Sequence, residues 1–305
     1  MRFSQVRDSS LLVAVLLVAT GCGTMAPPSN ISPGAVGTVS VVASTNVWGD
    51  VAAQIGGQHV TVVSLISDPE ADPHSHEASA QSQLALSKAA IVIENGGGYD
   101  DFVDTMLDAR GGTRPVVINT VEVSGKTATG SDQLNEHVWY DFPTVAKVAA
   151  ELVARLSTAD PAAAADYAAN GEKFKTSLAG LVAQEAAIKT AHAGVGVAIT
   201  ETVPVYLLEA AGLINKTPGE FSAAVEEGTD ASASVLQKTL ALFSDRQVQL
   251  LVYNEQTAGP QTEQLIDAAR QNEIAVVPVT ETLPSGKDYL TWMDATLKAI
   301  AVALQ

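Results

Sequence analysis

The chain has 305 residues, with 34 Asp and Glu against 17 Lys and Arg, a formal net charge of −17; 47% of it is hydrophobic and 17% charged. That balance can build a buried core and excludes a solvated, disordered chain, while the acidic excess excludes a protein that must neutralise nucleic-acid phosphates. The single Cys excludes an internal disulfide framework and any Cys-rich zinc or iron–sulfur site.

Arg2 and Arg7 precede the apolar run Leu11 to Ala19, which is too short to span a membrane as a helix. A basic start, a short apolar stretch and small residues at its end read as a signal peptide over 1–21. Ala19-Thr20-Gly21-Cys22 resembles the lipobox of bacterial lipoproteins, with Ala19 where Leu is more typical, so Cys22 is expected to carry the lipid. Residues 22–37, rich in Gly, Pro and Ser, read as a lipidated flexible tether.

From Thr38, strand candidates at Val39–Ser44, Val60–Ile66, Ala90–Glu94 and Pro115–Asn119 alternate with helical patterns around Val51–Ala53, Leu84–Ala89 and Tyr99–Ala109. A further helical pattern covers Pro143–Leu156. Asp160-Pro161 then supplies a cap and a first-turn proline for a long helix to His192, with Tyr167, Phe174, Leu178, Leu181 and Ile188 on one face. The alternation restarts with strands at Val195–Thr200, Val248–Tyr253 and Ala275–Val279. Helices are expected at Pro204–Ala211, Ser234–Phe243, Gln261–Gln271 and Tyr289–Leu304. The rhythm predicts an α/β fold of two lobes, each a parallel-type sheet covered by helices, joined by one long linking helix. The expected divisions are an N-terminal lobe over 38–159, the linking helix over 160–193 and a C-terminal lobe over 194–305. No residue-level repeat relates the halves.

Ligands of open α/β sheets bind beyond the carboxyl ends of strands. Polar residues cluster there at Asp72-Pro73-His74-Ser75-His76-Glu77, Thr200-Glu201-Thr202 and Thr280-Glu281-Thr282, and again at Asn135-Glu136-His137 ahead of a helix. Two imidazoles from the first half and two carboxylates from the second suit a divalent first-row metal ion. His76 and Glu255 are competitors, Glu255 against Glu281. His59 and His192 read as surface residues at element junctions. Gly96-Gly97-Gly98 lacks the spacing and the Lys of a phosphate loop and reads as a tight turn.

The chain resembles the solute-binding lipoproteins of zinc- and manganese-uptake ABC transporters, the cluster A-I metal-binding proteins. The likeness runs from Val39 to Leu304 through Val42-Ala43-Ser44, Ile55-Gly56-Gly57, Asp72-Pro73-His74, Asn135…His137-x-Trp139 and Asp160-Pro161…Tyr167…Asn170. It implies metal ligands at His74, His137, Glu201 and Glu281, with no catalytic residues. Glu136 replaces the family's usual Pro, and Glu281 its usual Asp. It further implies capture of one divalent ion, Zn²⁺ or Mn²⁺, as cargo for an ABC permease and its ATPase. The expected location is extracytoplasmic, by lipid anchor at the outer face of the membrane, as a monomer. The donor set leans to Mn²⁺ by hardness and to Zn²⁺ by the Irving–Williams order. The competing readings are a metal-dependent hydrolase, which needs an open coordination position for water, and a binding protein or adhesin for an organic ligand.

Overall fold

A computed structural model describes residues 38–69, 79–128, 134–257 and 259–305. Cys22, His74 and His76 lie outside the described residues, as do the signal and tether segments. The described part belongs to one compact unit, Gly37–Gln305.

In the first half, β1 (Val39–Thr45), β2 (Val60–Ile66), β3 (Ile91–Glu94) and β4 (Val116–Asn119) alternate with α1 (Asn46–Gly56), α2 (Ala80–Lys88) and α3 (Phe102–Asp108). They pair in parallel as β2-β1-β3-β4. After β4 come the short α4 (Thr120–Ser124) and the long α5 (Phe142–Ala159). The second half holds β5 (Gly196–Ile199), β6 (Ile214–Asn215), β7 (Leu250–Asn254) and β8 (Ala275–Val279), again parallel, as β6-β5-β7-β8. The two sheets therefore share one strand order. The repeat missing from the residues is present in the topology. Between the halves runs α6 (Ala164–His192), 29 residues long. The second half is completed by α7 (Val205–Ala210), α8 (Gly219–Glu226), α9 (Ala233–Ser244), α10 (Pro260–Gln271) and α11 (Tyr289–Ala303).

Strand parity explains the layers, because successive side chains point to opposite faces. Val41, Ala43, Ile91 and Ile93 join Val197, Ile199, Leu250 and Val252 in one core, which also takes Tyr167, Phe174, Leu178, Leu181 and Ile188 of α6. The alternate residues face outward into separate clusters: Val42 and Val92 against Leu86 and Val103, and Ala198 and Leu251 against Phe221 and Leu265. Each sheet is covered on both faces, as a parallel sheet must be. α6 packs against α1 and α5 of the first half and against α7 and α11 of the second.

Helix starts follow local chemistry. Asp141 accepts from Thr144 N at 3.0 Å to open α5, with Pro143 in the first turn. Asp160 accepts from Ala162 N at 3.2 Å, so the expected cap forms, although the first turn (Pro161–Ala163) is a 3₁₀ turn that leads into α6. Asp288 and Thr291 form a reciprocal capping box on α11. Three regular elements escape the periodicity: α4, β6 and α8. They have 5, 2 and 8 residues, too short for a repeating pattern to register.

Candidate metal centre

In each sheet the strand order reverses at its first strand, between β1 and β3 and between β5 and β7. That reversal opens the crevice in which such folds bind ligands. Glu201 follows β5 by two residues, Asn254 ends β7, Glu281 follows β8 by two residues, and Tyr99 follows β3 through the glycine turn. His137 comes from the loop ahead of α5.

The glycine turn brings Tyr99 into the site. Gly96, Gly97 and Gly98 have φ of 79°, 72° and 97°, and a Cβ on Gly96 would meet the Asn119 side chain at 2.3 Å. Asp100 closes the turn by accepting from Asn95 N at 2.6 Å and Gly96 N at 2.8 Å. Asn95 Nδ2 donates to Glu136 O at 2.9 Å and so ties the turn to the loop of His137.

His137 is fully buried and held on one side by Asn135. Asn135 Oδ1 accepts from His137 N at 3.0 Å and lies 2.8 Å from Nδ1, while its Nδ2 donates to Thr202 O at 3.0 Å. Those bonds fix the amide orientation. An amide oxygen only accepts, so in the neutral ring Nδ1 carries the proton and Nε2 keeps the lone pair. Nε2 lies 3.7 Å from Glu281 Oε2. Tyr206 OH reaches over from the second half and donates to Asn135 O at 2.7 Å.

The two carboxylates are equally enclosed, Glu201 at 2% exposure and Glu281 at 0%. Asn254 Nδ2 donates to Glu201 Oε2 at 2.6 Å and to Glu281 Oε1 at 2.8 Å. Thr257 Oγ1 donates to Glu201 Oε1, and Tyr99 OH to Glu281 Oε2 at 3.1 Å. Gln256 Oε1 accepts from Glu281 N at 2.5 Å, and its Nε2 donates to Pro69 O at 2.9 Å, next to the segment that contains His74.

Burial pushes the Glu201 carboxyl up to about 7; the Thr257 and Asn254 bonds oppose the rise, and the charge of Glu281 adds to it. For His137, burial disfavours the imidazolium. The bond and charge of Glu281, aided by Glu136 and Glu226, outweigh burial and leave its pKa above the ordinary value. Burial and then Glu281 raise the Tyr99 phenol well above its normal range, so it stays a donor. A buried imidazole nitrogen beside two buried carboxylates is a donor set whose chemistry suits a cation.

The structure brings His137, Glu201 and Glu281 together from both halves of the chain. It leaves Glu255 exposed. His59, expected at the surface, is half-buried and bonds Asp166 of α6 at 2.8 Å; His192 is half-buried too. A second grouping forms around the same imidazole, with ligand atoms of Glu136, His137 and Glu226 all within 4.8 Å of one another. Glu226 accepts from Thr202 Oγ1 at 3.0 Å, and that hydroxyl lies 3.3 Å from His137 Nδ1. This cluster lies towards the Nδ1 side of the ring that Asn135 holds, with Glu136 and Glu226 half-buried, whereas Glu201 and Glu281 are enclosed. Sequence reasoning missed Asn254, Thr257, Tyr99 and Glu226. The strand-end rule led to the right turn after β7, but the preference for charge selected Glu255 over its neighbour Asn254.

Residues 41–303 match the family model described as zinc-uptake complex component A, periplasmic (ZnuA). The chain belongs to the ZnuA family. It is 29% identical over 174 residues to the manganese-binding lipoprotein MntA of Bacillus subtilis strain 168, a stretch covering 55% of each, so it spans about half the length of that relative. A ZnuA crystal structure superposes with a TM-score of 0.72 at 20% identity, covering 88% of this chain and 100% of that one. The periplasmic zinc-binding protein TroA from Treponema pallidum gives 0.73 at 19% identity, covering 88% and 99%. The solute-binding protein FpvC of Pseudomonas aeruginosa, in complex with Ni²⁺, gives 0.71 at 21%, covering 88% and 97%. The ZnuA-type architecture, two parallel sheets and a long linking helix, is thus common to all four folds.

Proposed function

We propose that this ZnuA-family chain captures a divalent transition-metal ion, Zn²⁺ or Mn²⁺, outside the cytoplasm and delivers it to an ABC permease driven by its ATPase. The observation that carries the reading is the convergence of three fully buried donors, His137, Glu201 and Glu281, from both halves of the chain on one crevice. His74 completes the set as a second imidazole. Family membership supports the uptake role, and the relatives named for zinc, manganese and nickel support the class of cargo. The reading is capture and delivery, not catalysis. Cys22 carries the lipid, and residues 23–37 tether the metal-binding body to the outer face of the membrane.

Capture follows from the donor chemistry. Deprotonated carboxylates and a neutral imidazole replace the ion's water ligands in a site that excludes solvent. The shared core behind both sheets keeps the halves together, so loading needs only loop movement at the crevice mouth. Elemental analysis and calorimetric titration with Zn²⁺ and Mn²⁺ test the reading. One ion per chain is expected, with affinity lost sharply in His74→Ala, His137→Ala and Glu201→Ala while the circular dichroism spectrum is kept. Unchanged stoichiometry and affinity in all three variants overturn the assignment.

A further inference from the structure

One amide nitrogen contacts both carboxylates of the site. Asn254 Nδ2 takes Glu201 Oε2 and Glu281 Oε1 at 2.6 and 2.8 Å. The asparagine is itself fixed: it is 1% exposed, its backbone N donates to Thr200 Oγ1 at 3.0 Å, and its Oδ1 accepts from Gln256 N at 3.1 Å. Its amide has one workable orientation, because turning it over would set Oδ1 against two carboxylates.

This arrangement divides the four carboxylate oxygens into two kinds. Glu201 Oε2 and Glu281 Oε1 are committed to a rigid, charge-assisted donor. Glu201 Oε1 and Glu281 Oε2 meet hydroxyls, from Thr257 and Tyr99, which can rotate and yield a lone pair. Glu281 Oε2 is also the oxygen nearest His137 Nε2, at 3.7 Å. Two ligand atoms each roughly 2.1 Å from one ion lie about 3.4 Å apart at the tetrahedral angle and about 3.0 Å apart at a right angle. The observed 3.7 Å lies nearer the wider of the two.

Resting on the metal-capture reading, we propose that Asn254 is a positioning residue that limits Glu201 and Glu281 to one metal-bound oxygen each. One oxygen from each carboxylate keeps the coordination number low, which suits Zn²⁺. Mn²⁺ needs the bidentate oxygens that Asn254 withholds. Asn254 thereby sets the preference between two ions that the ligand types alone leave open.

Co²⁺ is the probe, since its visible d–d bands are intense when it is four-coordinate and weak when it is six-coordinate. The full chain, Asn254→Ala and Asn254→Ser are loaded with Co²⁺, and Zn²⁺ and Mn²⁺ affinities are measured by competition. The expected results are intense bands in the native protein, weakened bands in Asn254→Ala, and a Zn²⁺/Mn²⁺ affinity ratio lowered by about tenfold or more. Asn254→Ser, with one hydroxyl for one carboxylate, falls between; it decides the matter alone if the Ala variant does not fold. Unchanged bands and an unchanged ratio in the folded variants overturn the inference even if both affinities drop, because a merely structural role weakens all ions alike. Weak, six-coordinate bands in the native protein overturn it as well. A native protein that binds no ion at all instead overturns the capture reading on which it rests.

Discussion

The Asn46 side chain grips the backbone of Leu283 at two points: its Nδ2 donates to Leu283 O at 3.1 Å, and its Oδ1 accepts from Leu283 N at 2.8 Å. Asn46 opens the first helix, and Leu283 lies two residues beyond Glu281. The first half of the chain therefore holds the loop that carries Glu281 in the second half. Tyr140 OH, bonded to Thr280 O at 2.9 Å, adds a second such hold on that loop.

Removing the grip leaves two part-buried backbone groups of Leu283 without their partner. Asn46→Ala should cost about 1–3 kcal/mol of stability. It should also weaken metal binding, by less than loss of a ligand does, because Glu281 stays in place but its loop loosens. Thermal unfolding of the metal-free protein and calorimetric titration measure the two effects. A melting temperature and an affinity both equal to those of the native chain would show that the grip carries no energy.

Much of this was legible in the residues, for reasons that differ by feature. Val60–Ile66 and Ala275–Val279 are strands with the predicted ends because turn-forming or polar residues bound their β-branched runs. The linking helix is announced by Asp160-Pro161 and by apolar residues in helical register. Glu201 and Glu281 stand out as candidates in the sequence because ligands of such sheets bind at strand ends, and the structure buries both. Asn254 was hidden because its role depends on Glu201 and Glu281 arriving on either side of it, 53 and 27 residues away in sequence. No local pattern encodes that meeting. Glu226 was missed because it ends α8, a helix too short to show a period.

The hold of Asn135 on His137 makes a separate prediction. The amide oxygen fixes the ring so that Nε2 keeps the lone pair the proposed capture would use, and partners that orient a metal-binding imidazole typically contribute about 10–100-fold in affinity. Asn135→Ala should lower metal affinity by about that factor. Asn135→Asp, which keeps an acceptor for Nδ1, should recover part of it. Titration of both variants at one pH, with melting curves to exclude gross unfolding, tests the point; equal losses in the two would sever the link to ring orientation.

Metal binding should release protons. Glu201, with its pKa raised to about 7, is partly protonated in the metal-free protein near neutrality, and the charge of Glu281 lets His137 hold a proton more firmly than an ordinary imidazole does. Both must be deprotonated to act as ligands. Affinity should therefore fall as pH drops below about 7, approaching a hundredfold loss per pH unit where two protons compete. Calorimetry in buffers of different ionisation enthalpy counts the protons directly. A count of zero at pH 6 would contradict the assignment of these two side chains as ligands.

The last prediction concerns a charge outside the site. Glu185 lies on the linking helix at 4% exposure, and its Oε1 has no hydrogen-bond partner among the described residues. Burial, with a smaller push from the carboxylate of Asp141, raises its pKa from 4.5 to about 8. The unfolded chain therefore loses this proton first. Between about pH 4.5 and 8 the folded state binds more protons than the unfolded state, so stability falls as pH rises, and the loss is complete above the folded value. Glu185→Gln removes the titration while keeping the shape. It should match the native protein near pH 5 and exceed it at pH 9 by on the order of 4 kcal/mol. Denaturant unfolding of the metal-free chains at pH 5, 7 and 9 reads the difference. If the two proteins stay parallel across that range, Glu185 is not a neutral, buried acid, and its helix must admit water or a cation at that point.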